Sequence, residues 1–193
     1  GPMQRHHSNY AMILARRWFV EGGGVAEVVR DIDVDVNQLT PHHKMFNANL
    51  VLFGGPDTNS VTADIMRNYH HAGHDAVHFP SRGKLRVGKC WFNTTLEEGG
   101  SAHPFVMLGP WWGGQAEHHF ALIMGDSPDT LREAFRLFLG EALTVNQWQH
   151  HTPEYIVGSH RHSVLADRVA MAGYFGNRWE WREDLAAVLV CHH

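Results

Sequence analysis

Residues 49–60, NLVLFGGPDTNS, decide how the fold is interpreted, because an apolar run passes there into a turn rich in small residues. Residues 50–53 do not alternate with polar ones, a pattern typical of strands buried on both faces, as in parallel sheets. Gly54 and Gly55 permit a sharp change of direction, and four residues that can cap a helix follow: Asp57, Thr58, Asn59 and Ser60. The stretch predicts a central buried strand over residues 49–53, a turn in which Gly54 or Gly55 has dihedral angles that other residues disfavour, and a helix that begins within residues 57–60.

The same turn has a functional interpretation as a ligand site. Backbone N–H groups at glycines and at a helix N-terminus bind anions well. The residues of this predicted ligand site are Gly54, Gly55, Asp57, Thr58, Asn59 and Ser60. The stretch contains neither G-x-G-x-x-G nor the lysine and serine of a Walker motif, and Asp57 would repel an anion. A purely structural turn between a strand and a helix is therefore the alternative interpretation.

The elements predicted outward from this stretch mix helices with strands. Helices are predicted at residues 10–20, at 61–69 and from Asp126 onward, where D-S-P-D is a strong helix start. Strands are predicted at residues 28–36, 76–79, 86–92, 104–108, 119–124 and 154–158. This order predicts one α/β domain over residues 10–193. Its sheet is expected to be largely parallel and flanked by helices, flavodoxin-like or Rossmann-like, with an antiparallel extension at residues 86–124.

Composition and charge narrow the classes of partner. The net charge of -4 argues against nucleic acid as the main partner, and no apolar run approaches the roughly 18 residues of a membrane helix. Residues 1–9 are interpreted as a tag remnant and disordered lead-in, because Gly1-Pro2-Met3 resembles a protease-cleavage scar. Cys90 and Cys191 are expected to be idle or buried thiols, with a disulfide as the alternative.

The chain contains 17 histidines, several of them in doublets. Two groups have spacings that can bind zinc: His70, His74 and His78 in one segment, and His160 and His162 in another. The alternative is a histidine-rich surface without a metal, since adjacent histidines on a strand point to opposite sides.

Two tryptophans, Trp111 and Trp112, lie between glycines directly after an apolar run. Exposed tryptophans at such a position can stack on a sugar ring or bind a peptide. The alternative is that both rings fold back over the sheet edge as a lid.

Four segments resemble a known family. NLVLFGGPDTNSVTADI, FALIMGDSPDTLREAFRLF, PEYIVG and VAMAGYFGNRW occur in this order between residues 47 and 179. They are similar to the C-terminal accessory region of secreted prolyl-oligopeptidase-like and esterase-like α/β-hydrolase proteins, although Gly176 stands where that region commonly has an acidic residue. The resemblance implies an accessory region rather than the catalytic domain, a covalently attached hydrolase domain or other protein partner, and a secreted or extracytoplasmic location.

A serine hydrolase of this class requires a nucleophile elbow, G-x-S-x-G, which the sequence lacks. Ser101 and Ser159 follow glycines but have no second glycine after them. The sequence therefore predicts a non-catalytic accessory or interaction module without esterase or peptidase turnover and without a cofactor. The alternatives are a stand-alone hydrolase or metal-dependent enzyme that uses the histidine-rich segments, and a subunit of a larger assembly.

Overall fold

The computed structural model of the chain describes residues 2–34, 48–71, 74–95, 102–110, 118–140, 153–159 and 169–191. The described helices are α1 (Pro2–Gly22), α2 (Ser60–His71) and α3 (Pro128–Phe138), with a short 3-10 turn at Asp31–Asp33. The described strands are β1 (Leu50–Phe53), β2 (Val77–His78), β3 (Lys84–Val87), β4 (Cys90–Asn93), β5 (Phe105–Pro110), β6 (His119–Met124), β7 (Tyr155–Gly158), β8 (Val169–Phe175) and β9 (Trp181–Val188).

The main sheet is mostly antiparallel, so the predicted flavodoxin-like or Rossmann-like parallel sheet was wrong. Its six strands have the order β1-β6-β5-β7-β8-β9. Only the β1–β6 pair is parallel among the described strand pairs, and the other pairs in this sheet are antiparallel. Parallel neighbours need a crossover of about a dozen residues or more, whereas short connections link β5 to β6 and β8 to β9. Those connections require hairpins.

The first strand lies at one end of the described sheet, not at its centre as predicted. β1 pairs with β6 along its whole length. Leu52 and Phe53 are buried, but Val51 is 44% exposed. A continuous apolar run therefore did not indicate a central strand, because only half of this run is covered.

Layers cover the sheet on both faces. On one face, Val106, Ile123 and Ile156 pack with residues of α3 such as Leu131 and Phe135. The other face carries α2 and a smaller sheet of three strands in the order β2-β3-β4. These layers explain why strands of an antiparallel sheet have the apolar sequences expected of a parallel one.

The small sheet corrects two further predictions. Residues 86–92 form no single strand but the hairpin β3–β4, which turns at Gly88 with a φ of 56°. Cys90 of β4 forms a disulfide with Cys191, just after β9, instead of remaining an idle thiol. The bond links the small sheet covalently to the last strand of the main sheet.

The structure of residues 2–34 differs most from the elements that the sequence predicts. Helix α1 includes residues 2–9, for which the sequence predicted a disordered lead-in. The strand predicted at 28–36 is absent from its described part, residues 28–34, which contain only the 3-10 turn. Its alternating pattern was a local signal, and a strand also needs a neighbour to pair with. Helix α1 packs on α3 and leaves several apolar side chains exposed: Met12, Ile13, Trp18, Phe19 and Val20.

Candidate functional site

The turn after β1 has the local structure that the sequence predicted. Gly54 has a φ of 100°, a conformation that favours glycine, and its N–H donates to the Ile123 carbonyl at 3.0 Å. Gly55 is constrained differently, because a β-carbon there would collide with the Met124 sulfur. Helix α2 begins at Ser60, within the predicted range. Both the helix start and the special dihedral angles at Gly54 are confirmed.

Asn59 joins the strand to the helix through both ends of its amide. Its Oδ1 accepts a hydrogen bond from the Thr62 N–H at 3.0 Å, and its Nδ2 donates to the Phe53 carbonyl at 3.1 Å. The first contact is that of a helix N-cap, which satisfies an N–H that has no partner within the helix.

Other polar residues of the predicted ligand site also contact the chain itself. Asp57 Oδ2 accepts from the Gly83 N–H at 3.2 Å, and the Thr58 hydroxyl donates to the Gly55 carbonyl at 3.3 Å. The Ser60 N–H and hydroxyl donate to Asp31 Oδ2 at 2.9 and 3.1 Å. A carboxylate of the chain thus already lies at the helix N-terminus, where the sequence predicted an external anion. Binding an anion at this N–H would require displacing Asp31.

Replacing Asn59 with alanine is expected to lower the free energy of unfolding by about 2 kcal/mol, the upper end for an N-cap. The upper end applies because both amide contacts are lost together. Urea denaturation of the wild type and the variant measures the difference. The control is Asn68→Ala on the exposed part of α2, with an expected change of less than about 0.5 kcal/mol. Equal losses in the two variants would contradict the capping role of Asn59.

A groove of about 220 Å³ lies between α2 and the segment that contains β2. Pro56 places the turn at its edge, so the structure brings the turn and part of the histidine cluster together. Its lining residues are Pro56, Ala63, Met66, Arg67, His70, Val77, His78 and Phe79. Most of these side chains are apolar, and the other three can donate hydrogen bonds. The groove is the candidate functional site.

His70 and His78 are stacked in the groove. Their ring centroids are 4.5 Å apart with an interplanar angle of 11°, and His70 Nδ1 contacts Asp75 Oδ1 at 2.7 Å. An imidazole nitrogen binds a metal in the plane of its ring, so two parallel stacked rings do not direct their lone pairs to one point. Within the described ranges, no three histidine, cysteine, aspartate or glutamate side chains are placed to hold a metal ion.

The remaining predicted site residues do not line the groove in the part of the chain that the structure describes. Helix α2 ends at His71, so His74 is not on it. The His74 ring packs 5.0 Å from that of Tyr69, and its side chain hydrogen-bonds to the Arg178 backbone. His160, His162, Trp111 and Trp112 lie outside the described residues, and their assignments stay predictions.

The charge of the groove comes from Arg67. Its Nη1 donates to Asp64 Oδ1 at 3.1 Å, one of the five N–H bonds that a guanidinium offers. Burial lowers the pKa of His78, and the neighbouring His70 and Arg86 lower it further. A lowered pKa favours the neutral imidazole, which can both donate and accept a hydrogen bond.

The sequence pointed to the two groove histidines but not to Arg67, Met66 and Phe79. The sequence contains a signal for the α2 wall of the groove, because Ala63, Met66, Arg67 and His70 recur at the helical spacing i, i+3, i+4 and i+7. No local pattern indicates that β2 packs beside this row, since the packing depends on how the chain folds back after α2.

No family model matches the chain, and neither a curated protein nor a solved structure is similar to it.

None of the helices in the described ranges combines the length and the apolar character that crossing a bilayer requires.

Proposed function

We propose that this chain is a non-catalytic binding module that holds a segment of a protein partner in the groove between α2 and β2. The observation that carries the proposal is the composition of the groove, in which apolar walls surround Arg67, His70 and His78. Mostly apolar concave sites with a few polar groups are the common form of ligand site. The apolar walls provide affinity for the partner segment, and the polar groups fix its orientation in the groove.

The size of the groove favours a side chain over a whole cofactor. Its volume of about 220 Å³ is below the roughly 300–1,000 Å³ of sites that enclose drug-sized ligands. One large apolar side chain fits such a space, and the rest of the partner would lie across the surface. We therefore expect a peptide segment with a single anchoring residue.

The polar groups favour an acidic residue beside the anchor. Arg67 has a side chain 62% exposed, which leaves room for a carboxylate to form the paired contact typical of guanidinium groups. The His70 side chain is 45% exposed, and its contact with Asp75 fixes the ring orientation. The expected recognition element is an apolar residue next to aspartate or glutamate.

We propose that the partner is part of the same, longer protein. A covalently attached hydrolase domain, as the family resemblance implies, is the partner that we expect. The Cys90–Cys191 disulfide supports a secreted or extracytoplasmic location, because disulfides persist mainly in oxidising compartments.

The proposal is tested by selecting peptides from a random 12-residue phage library on the immobilised protein. We expect enrichment of an apolar residue adjacent to Asp or Glu. The blocking variant is Ala63→Arg, which places a long side chain in the groove at a helical position where arginine is well tolerated. The matched control is Asn68→Arg, the same side chain on an exposed position of α2.

Peptides selected on the wild type should bind Ala63→Arg at least about tenfold more weakly, a loss of roughly 1.4 kcal/mol. The same peptides should bind Asn68→Arg as they bind the wild type. A selection without enrichment, or peptides that bind all three proteins equally, would exclude the groove as the binding site. Cleavage of bound peptides would exclude the non-catalytic role.

A further inference from the structure

The hairpin that joins β8 to β9 is closed by three hydrogen bonds from backbone N–H groups. The Trp179 N–H donates to the Gly176 carbonyl, and the Gly176 N–H donates to the Glu180 carbonyl, both at 2.8 Å. The Arg178 N–H donates to Glu180 Oε2 at 2.8 Å. A tight hairpin of this kind ends in a left-handed residue, which is usually glycine.

Tryptophan occupies that left-handed position. Trp179 has a φ of 62° and is the one non-glycine residue with a positive φ among the described residues. A bulky side chain there costs free energy, because its β-carbon crowds the neighbouring carbonyl. The geometry of the turn does not require tryptophan, since glycine or asparagine would form it with less strain. Such strain is typically retained where a side chain has a functional role.

The Trp179 ring packs beside two other aromatic rings. His119 lies 5.9 Å from it at an interplanar angle of 52°, and Phe175 lies 5.8 Å from it at 48°. His119 is exposed, and its backbone N–H donates to Asn49 Oδ1 at 2.8 Å. Trp179 is only partly buried, so packing against Phe175 does not use the whole ring.

The polar neighbours of the ring select the chemistry of a ligand. Arg178 and Glu180 flank Trp179 in the chain, and both are exposed. Exposed polar side chains that flank a partly exposed aromatic residue in the chain suit a ligand that has hydroxyl groups and one apolar face. The charges of Arg178 and Glu180 offset each other, so these neighbours favour neither an organic cation nor an anion. A sugar ring has the required combination, because its C–H face stacks on the indole while its hydroxyls bond to the guanidinium, carboxylate and imidazole.

We infer that Trp179, with His119, Arg178 and Glu180, forms a saccharide-binding platform at the β8–β9 hairpin. The platform shares no residue with the groove between α2 and β2. A substitution can therefore block one site without removing a residue of the other.

The test is native affinity electrophoresis through gels that contain one of four polysaccharides: hydroxyethylcellulose, xylan, glucomannan or glycol chitin. The wild type should be retarded at least about twofold in one of these gels relative to a gel without polysaccharide. Trp179→Gly removes the ring and relieves the left-handed strain, so its melting temperature should stay within about 4 °C of the wild type. The same variant should lose the retardation.

Two control variants show whether the retardation comes from the platform itself. Trp91→Ala removes a 39% exposed tryptophan from the small sheet and should leave the retardation unchanged. Ala63→Arg, which blocks the groove, should also leave it unchanged. The inference is overturned if the wild type migrates normally in all four gels, or if Trp179→Gly is retarded as strongly as the wild type.

Discussion

Replacing Cys90 and Cys191 together with serine is expected to lower the free energy of unfolding by about 2–5 kcal/mol. The disulfide joins residues separated by 101 positions in the chain, and a crosslink of that length removes much conformational freedom from the unfolded state. It also fastens β4 of the small sheet to the segment that follows β9. Both sheets should therefore lose stability, although the small sheet has fewer strands to hold it in place.

Guanidinium denaturation measures this difference, and reduction provides the control. The wild type treated with dithiothreitol should match the double serine variant, whereas the variant should not respond to dithiothreitol. If the wild type has the same stability with and without reductant, the disulfide does not contribute to the fold as described.

Gly125→Ala is expected to lower the free energy of unfolding by about 3 kcal/mol, near the upper end of the range for overpacking. A β-carbon at Gly125 would collide with the backbone of Thr130 and Leu131 in the first turn of α3. Backbone atoms cannot rotate away as the end of a flexible side chain can. The substitution would push α3 away from the sheet whose apolar residues it covers.

Gly140→Ala is the matched control for this prediction. Gly140 follows α3 and has a φ of 74°, and a β-carbon added there would have no atom within 4 Å. Alanine at this position has only the cost of a left-handed conformation, about 1 kcal/mol. Urea denaturation measures the loss of unfolding free energy in both variants. The loss at Gly125 comes from a steric clash, and the loss at Gly140 from an unfavourable backbone conformation. A loss at Gly125 no larger than that at Gly140 would contradict the close approach of α3 to β6.

Features that depend on neighbouring residues were predictable from sequence. Asn59 and Ser127 are polar residues just ahead of helical segments, and both cap the helices as their positions indicate. Gly54 has the positive φ expected where a strand turns sharply into a helix. In these cases the physical cause lies within a few residues of its effect.

Features that depend on distant segments were not predictable in the same way. The apolar run 50–53 suggested burial on both faces, but it could not show which strand lies beside it or in which direction. The pairing of Cys90 with Cys191 depends on the small sheet approaching the end of β9. The groove also depends on packing, although α2 and β2 are close in the chain, because the row formed by Ala63, Met66 and Arg67 becomes a wall only when β2 packs beside it.

The proposed function depends on the groove between α2 and β2 binding an apolar residue that lies next to an acidic one. Titration of the ¹⁵N-labelled protein with N-acetyl-leucyl-glutamate, followed by ¹H–¹⁵N correlation spectra, detects this binding residue by residue. We expect concentration-dependent shifts confined to residues 56–79, and their loss in Ala63→Arg. Shifts centred instead on the exposed apolar residues of α1, such as Ile13 and Phe19, or shifts that persist in Ala63→Arg, would contradict the proposal.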